Sequence, residues 1–193
     1  GLLGVGIGAT IGAISGYFGG IIDAILMRLT DMFLVTPVII IGAVIGFRIG
    51  NLGVVPLAIL LGFFSWMGLA RFVRTEFLTL REREFVDAAR VAGASDRRVI
   101  FKHILPNAVG VIIVSGTLLM SGAILTETAL SYLGFGVKPP DVSLGLLISQ
   151  YQDTFNISPW LFWWPGALIV SIALCVNFIG DGLRDALDPQ GQR

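Results

Sequence analysis

The chain has 193 residues, of which 55% are hydrophobic and 13% charged, and its mean hydropathy is +0.86. Soluble domains carry about 25% charged residues, so this composition excludes an ordinary soluble protein and predicts an all-α integral membrane protein. The formal net charge is zero and gives no support to nucleic-acid binding. Cys175 is the only cysteine and lies in an apolar run, so an internal disulfide is excluded and a small core side chain is expected.

The sequence is apolar from its first residue, Gly1, without an initiator Met or the basic region of a signal peptide. We therefore expect an N-terminal truncation; with five spans, a whole protein that starts in the cytoplasm would need one more helix.

Five apolar stretches approach the length of about 20 residues that a membrane-spanning helix needs. The first is rich in Gly, Ala and Ser, which let helix backbones approach closely in lipid, so we expect it to be packed inside a bundle. The segment that starts at Gly19 and includes IIDAILMRLTD is expected to form a short turn, Pro37 to kink the second span, and Arg71 and Arg74 to end the third. The predicted spans are 1–18, 32–49, 54–70, 107–132 and 160–179.

Basic residues predict the orientation of these spans. Eight of the thirteen Lys and Arg residues lie in the 71–106 loop. The positive-inside rule places this loop in the cytoplasm, together with Arg28 and the C-terminal tail that contains Arg184 and Arg193. The 133–159 loop is then extracytoplasmic, and its SLGLLISQYQ segment is expected to form a short interfacial helix.

The 71–106 loop has the pattern of two short helices. Leu80 to Ala92 predicts an amphipathic helix with Phe85, Ala88 and Ala89 on its apolar side. Gly93 is expected to end it by adopting a positive φ, and Ser95 to begin a second helix whose apolar side is Val99, Ile100 and Ile104. Two interpretations follow from the residues alone: a docking surface for a partner, or a pair of helices that lie on anionic lipid.

A longer pattern in the loop resembles a known family. DAARVAG followed by HILP resembles the EAA loop of the membrane subunits of ABC importers, in which Glu-Ala-Ala and Gly precede Ile-x-Leu-Pro. Asp87 replaces the usual Glu with its charge kept, and His103 stands where Ile is usual. The segments GYFGGIIDAILMRLTD, ETALSYLGFGVKPP and GDGLRDALDP are similar to the C-type permeases of dipeptide, oligopeptide and nickel importers. The positions that match the motif are Asp87, Ala88, Ala89, Gly93, Leu105 and Pro106.

This resemblance implies the MetI-like transmembrane domain of a type I ABC importer, without that family's first helix. It implies two cytoplasmic ABC ATPase subunits or domains, a second homologous permease, an extracytoplasmic substrate-binding protein and a bacterial or archaeal cytoplasmic membrane. ATP and Mg²⁺ would be bound by the ATPase partners, so no cofactor, metal or catalytic role is expected for this chain. At the docking surface, Phe85 is the expected apolar anchor, and Glu84 and Arg90 are expected at the rim. A structural role is favoured over a proton switch for His103.

Two polar residues within the predicted spans are candidates for the translocation path. Glu127 would cost about 2.5 to 3.5 kcal/mol at a helix centre, so it is expected to face a wet cavity or a polar partner. A role in the path and a structural hydrogen bond to the nearby ETALSYLG turn are both open. Asn177, near the inner end of the fifth span, raises the same question.

The sequence offers no signature of catalysis. It has no phosphate-binding Gly-Lys-Ser/Thr loop and no HExxH or Gly-x-Ser-x-Gly motif. The alternative from another class is a self-sufficient channel or ion-coupled carrier, which would be expected to show several charges within its spans. The alternative within the importer class is nickel or another small solute in place of peptides.

Overall fold

The computed structural model describes residues 1–50 and 53–187, and these ranges contain helices and loops but no strand. The α-helices of the described chain are α1 Leu2–Phe18, α2 Gly20–Leu34, α3 Val38–Ile49, α4 Val54–Phe63, α5 Trp66–Arg81, α6 Glu84–Val91, α7 Asp96–Arg98, α8 Leu105–Tyr132, α9 Leu144–Tyr151 and α10 Trp160–Leu187. A π-helical turn, Val99–Ile104, joins α7 to α8, and a 3-10 turn, Gln152–Thr154, follows α9.

Helix α1 packs along α5 through a row of glycines four residues apart. A Cβ at Gly12 would lie 2.5 Å from the carbonyl oxygen of Ala70, and a Cβ at Gly16 would lie 2.6 Å from that of Arg74. Any side chain at these positions would push the two backbones apart, so their close approach depends on glycine. The first helix was expected to lie inside a bundle; its glycine side is buried, but Leu2 and Phe18 on its other sides are exposed.

The segment after α1, expected to be a short turn, is the helix α2. Gly19 and Gly20 have φ values of +64° and +54°, and this left-handed backbone reverses the chain between α1 and α2. Helices α2 and α3 meet at an angle of 63°, with Pro37 immediately before α3. The kink predicted at Pro37 is present, and the predicted turn was wrong.

Two ion pairs hold α2 against α5. Arg74 Nη2 of α5 donates to Asp23 Oδ2 at 2.6 Å, and the Ser15 hydroxyl donates to the same carboxylate. Arg71 pairs with Asp31, which lies two turns further along α2 and one turn earlier along α5. The acidic residues of α2 therefore have partners within the bundle and do not need to lie in a loop.

The helix that contains the third predicted span is longer than that span. Helix α5 does not stop at residue 70 but continues to Arg81, and α4 and α5 together form one 28-residue segment, Val54–Arg81. The basic side chains on α5 have acidic or carbonyl partners in α1 and α2, and arginine itself favours a helix, so the helix continues past them.

The fourth and fifth predicted spans are both longer in the structure. The segment Asp96–Tyr132 runs as 37 residues of helix, in which α8 begins two residues before the predicted start at 107 and ends at the predicted residue. Helix α10 begins at Trp160, as predicted, and continues past 179 to Leu187. The helix predicted within the 133–159 loop is α9, whose first turn is capped by the Ser143 hydroxyl. Arg193 lies outside the described residues.

Among the described residues, three segments are long and apolar enough to cross a membrane: Val54–Arg81, Asp96–Tyr132 and Trp160–Leu183. The bent pair of α2 and α3 would be a fourth. Helix α1 is also apolar, and its 17 residues extend over about 25 Å, close to the roughly 30 Å of a bilayer core. These five units correspond to the five predicted spans, and their arrangement across a membrane stays a prediction.

A buried cluster lies at the end of the bundle that carries the 71–106 loop. It combines Tyr17 of α1, Phe77 of α5, Val86 of α6, Val99 of the π-helical turn and Ala108 of α8. The loop is therefore part of the packed core rather than a separate appendage.

Candidate functional site

Helix α6, which carries most of the predicted docking residues, is anchored to the bundle by Val86. The Val86 side chain has no exposed area and packs in the buried cluster with Phe77 and Val99. One amphipathic helix had been predicted over Leu80–Ala92. That prediction was wrong in two respects, because the helix is broken at residues 82 and 83 and its buried side is set by Val86.

The side of α6 that faces away from the cluster is exposed. Phe85 is 40% exposed and Ala89 is half-buried. Val91 is 90% exposed at the end of the same helix and was missed by the sequence analysis, although it lies four residues after Asp87, the spacing that places two residues on one helix face. The predicted docking residues that are exposed here are Glu84, Phe85, Asp87, Ala88 and Arg90.

The charges on this surface are available to a partner. Arg90 and Asp87 form an ion pair at 3.4 Å, and both side chains are exposed. An exposed pair of this kind contributes at most about 1 kcal/mol, so a partner with complementary charge can replace it at little cost. Small alanine side chains beside these charges allow a partner to approach closely.

Gly93 forms the bend between α6 and α7, as predicted. Its φ is +79°; its N–H donates to the Arg90 carbonyl at 2.9 Å, and the N–H of Ala94 donates to the Ala89 carbonyl at 3.0 Å. This pair of bonds is the Schellman arrangement that ends helices at a left-handed residue. Ser95 occupies the position before α7, as predicted, but within the described chain its side chain makes no capping hydrogen bond.

The side chains of Tyr17, Arg90 and Asp96, hereafter the Tyr17 cluster, join α1 to both sides of this bend. The Tyr17 hydroxyl donates to Asp96 Oδ1 at 2.6 Å, and the Arg90 guanidinium carbon lies 5.8 Å from the centre of the Tyr17 ring. Arg90 belongs to α6 and Asp96 begins α7. Sequence reasoning missed Tyr17 and Asp96 because their contact spans 79 positions along the chain.

The second half of the predicted motif forms the start of α8. Pro106 stands in the first turn of α8, and Leu105 is half-buried beside the buried cluster. Pro106 lacks an N–H and cannot donate to the carbonyl of Lys102, and the π-helical turn lies directly before it. The carbonyl of His103 accepts a hydrogen bond from the Asn107 side chain at 2.6 Å, and the two interpretations of the His103 imidazole stay predictions.

Glu127 has a hydrogen-bond partner and lines a cavity, and its role in a translocation path stays a prediction. The Ser131 hydroxyl donates to Glu127 Oε1 at 2.7 Å and accepts from the N–H of Val137 at 3.2 Å, which ties the carboxylate to the turn after α8. Glu127 also lines a cavity of about 380 Å³ between α4 and α8, together with Leu57 and Met120.

Asn177 lies at a helix contact. The Ser121 hydroxyl of α8 donates to Asn177 Oδ1 of α10 at 3.0 Å and also approaches the carbonyl of Ala173 at 3.3 Å. One turn away, a Cβ at Gly180 would lie 2.1 Å from the Thr117 hydroxyl oxygen. Asn177 therefore holds α8 against α10, and the described residues do not bring it together with Glu127 at the 380 Å³ cavity.

A metal centre has no support in the structure. Across residues 1–50 and 53–187, no three His, Cys, Asp or Glu side chains lie close enough together to hold a metal ion. The polar side chains described here form an exposed ion pair on α6 and hydrogen bonds between helices.

Comparison with known proteins places this arrangement in a family. Residues 8–191 match the family described as binding-protein-dependent transport system inner membrane component. The chain belongs to this family. As an inner membrane component, it is a multi-pass membrane protein.

Several relatives of this inner membrane component carry names that refer to peptide transport. The oligopeptide transport system permease protein OppC of Mycobacterium tuberculosis strain H37Rv is 48% identical over 189 residues, which cover 97% of this chain and 65% of the relative. The protein of the same name from Haemophilus influenzae is 41% identical, with 96% and 60% covered. A putative peptide permease of Brucella ovis is 41% identical, with 99% and 64% covered. The chain thus spans just under two thirds of the length of these relatives.

Solved structures support the fold of this inner membrane component. A chain of the inward-facing MetNI methionine ABC transporter superposes with a TM-score of 0.76 at 19% identity, covering 97% of this chain and 88% of that chain. A second crystal form gives a TM-score of 0.71 at 18% identity. The fold is that of the MetI-like ABC transporter transmembrane domain, as the sequence had implied.

Proposed function

We propose that this chain is a permease subunit of an ATP-driven importer of short peptides and that its 71–106 loop docks on a cytoplasmic ATPase subunit. The observation that carries the proposal is the exposed face of α6, with Phe85 and Asp87 outward and Val86 fixed in the core. A rigidly anchored helix with an exposed apolar residue and small neighbours suits a partner that pushes on it. The peptide class rests on the names of the relatives.

The proposed assembly contains two ATPase subunits, which bind ATP and Mg²⁺, a second homologous permease and an extracytoplasmic substrate-binding protein. In it, this chain forms half of the translocation path in a cytoplasmic membrane, with the loop and C-terminus inside. Glu127 is the proposed path residue, since its carboxylate lines the cavity between α4 and α8.

Replacing Asp87 with Arg tests the docking surface. Asp87 is exposed, so the variant is expected to insert and fold normally, while the reversed charge weakens attachment of the ATPase. The measurement is the amount of ATPase that co-purifies in detergent, with ATP-driven peptide uptake in proteoliposomes. Asp153→Arg is the matched control, since Asp153 is also exposed but lies in the 133–159 loop.

Normal ATPase retention and normal uptake in Asp87→Arg would overturn the docking assignment. Uptake of peptide by the chain reconstituted alone would instead indicate the self-sufficient carrier. Uptake of nickel in place of peptide by the complete assembly would keep the machinery and change the substrate.

A further inference from the structure

We propose that Tyr17 is a positioning residue that makes helix α1 move together with the 71–106 loop. This inference rests on the proposed function and deepens it, because it names the contact through which docking of an ATPase would reach the membrane helices.

The Tyr17 cluster spans the bend at Gly93. The hydroxyl of Tyr17 donates to Asp96 Oδ1 at 2.6 Å, and the face of its ring lies 5.8 Å from the guanidinium carbon of Arg90. Since Arg90 and Asp96 lie on opposite sides of Gly93, one side chain of α1 contacts both helices of the loop. A displacement of either helix must shift Tyr17 or break one of these contacts.

The end of α1 is also joined to α5. Arg81 Nη1 donates to the carbonyl oxygens of Gly16 and Tyr17, each at 3.2 Å. These carbonyls lie in the last turn of α1 and would otherwise lack helical donors. Gly12 and Gly16 leave no free space between α1 and α5. A shift of Tyr17 is therefore passed to two membrane helices rather than absorbed by a flexible terminus.

Removing only the hydroxyl of Tyr17 distinguishes its positioning role from its role in packing the core. The Tyr17 side chain is 6% exposed and packs with Val73 and Phe77, and phenylalanine would fill the same volume. Asp96 is exposed, so water can solvate its carboxylate when the hydroxyl is removed. Loss of the hydroxyl should leave the fold intact and break the connection to α7.

The test uses the full transporter, assembled with its own partner subunits and binding protein in proteoliposomes, with tri-alanine as the probe. ATP hydrolysed per tri-alanine taken up is expected to rise in Tyr17→Phe by about three- to tenfold, the range expected for the net loss of one ordinary hydrogen bond, since the Asp96 acceptor is exposed to water. The thermal unfolding midpoint is expected to stay at the wild-type value. Tyr132→Phe is the matched control, because Tyr132 is 47% exposed and its hydroxyl makes no hydrogen bond within the described residues.

A wild-type ratio of ATP to tri-alanine in Tyr17→Phe would overturn the proposal while leaving the proposed function in place. Failure of the wild-type assembly to take up tri-alanine with ATP would instead overturn the proposed peptide import, and the Tyr17 proposal with it.

The variant Asp96→Ala and the double variant Tyr17→Phe/Asp96→Ala complete a double-mutant cycle. If both residues act through one bond, adding Asp96→Ala to Tyr17→Phe should raise the ratio no further than the single variants do. Fully additive effects would overturn the assignment of this bond as the connection.

Discussion

Position 93 requires glycine because of its backbone conformation and not because a larger side chain would lack space. Its φ of +79° disfavours residues with a Cβ by about 1 to 2 kcal/mol, yet a Cβ there would meet no heavy atom of the described residues within 4 Å. We expect Gly93→Ala to loosen the bend and lower both ATPase retention and uptake. Gly93→Asn should retain more of both, because asparagine tolerates the left-handed region.

This prediction is tested by pull-down from detergent extracts, in which the amount of ATPase subunit is normalised to the amount of permease. Equal retention in the alanine and asparagine variants would contradict a backbone cause and would favour a direct contact of the partner with Gly93.

The two roles open for Glu127 can be separated by two substitutions. Glu127→Gln keeps an oxygen that accepts from the Ser131 hydroxyl but removes the negative charge from the cavity wall. We expect normal assembly and altered peptide uptake. Glu127→Leu also removes the acceptor and should destabilise the protein by about 1 to 3 kcal/mol.

Uptake rates and thermal unfolding of both Glu127 variants provide the measurement. Wild-type uptake in Glu127→Gln, together with unfolding of Glu127→Leu at a lower temperature, would assign Glu127 to structure alone.

At the scale of elements, a glycine at the contact between α1 and α5 should tolerate added volume far less than a glycine on the open side of α1. A Cβ at Gly12 would lie 2.5 Å from the Ala70 carbonyl oxygen, whereas a Cβ at Gly6 would have no heavy atom of the described residues within 4 Å. Overpacking of this kind costs about 1 to 3 kcal/mol. We expect Gly12→Ala to lower the thermal unfolding midpoint.

Gly6→Ala is the control on the same helix and should be neutral or slightly stabilising, since alanine is favoured over glycine in helices. Equal unfolding midpoints in the two variants would show that α1 is not packed against α5 as described.

Periodicity and composition located the apolar helices, the small-residue packing of α1 and the bend at Gly93. They failed where a charged residue has a distant partner. Asp23 and Arg74 made α2 resemble a turn and α5 resemble a span end, because their ion pair joins positions 51 apart in sequence. The burial of Val86 was missed for the same reason, since its contacts come from α5 and the π-helical turn.

At the scale of the whole molecule, one buried cluster connects α6 to the long helices α5 and α8. Phe77 of α5, Val86 of α6 and Ala108 of α8 have no exposed area and belong to the same packed group. Because packed cores transmit strain, force applied to α6 reaches α5 and α8 directly. A second cluster around Leu57 and Leu130 lies toward the other end of α8.

The orientation of the molecule can be tested with single cysteines in a Cys175→Ala background. Val91 is 90% exposed in the 71–106 loop, and Ile157 is 80% exposed in the 133–159 loop. The positive-inside rule places these two loops on opposite sides of the membrane. We expect a membrane-impermeant maleimide to label Ile157→Cys in right-side-out vesicles and Val91→Cys in inside-out vesicles. Labelling of both positions from the same side would contradict the predicted crossing of α8, and the reverse pattern would place the docking surface outside the cell.

Co-expression of the ATPase subunits should then reduce labelling of Val91→Cys and leave Ile157→Cys unchanged, because only the cytoplasmic face of α6 would be covered.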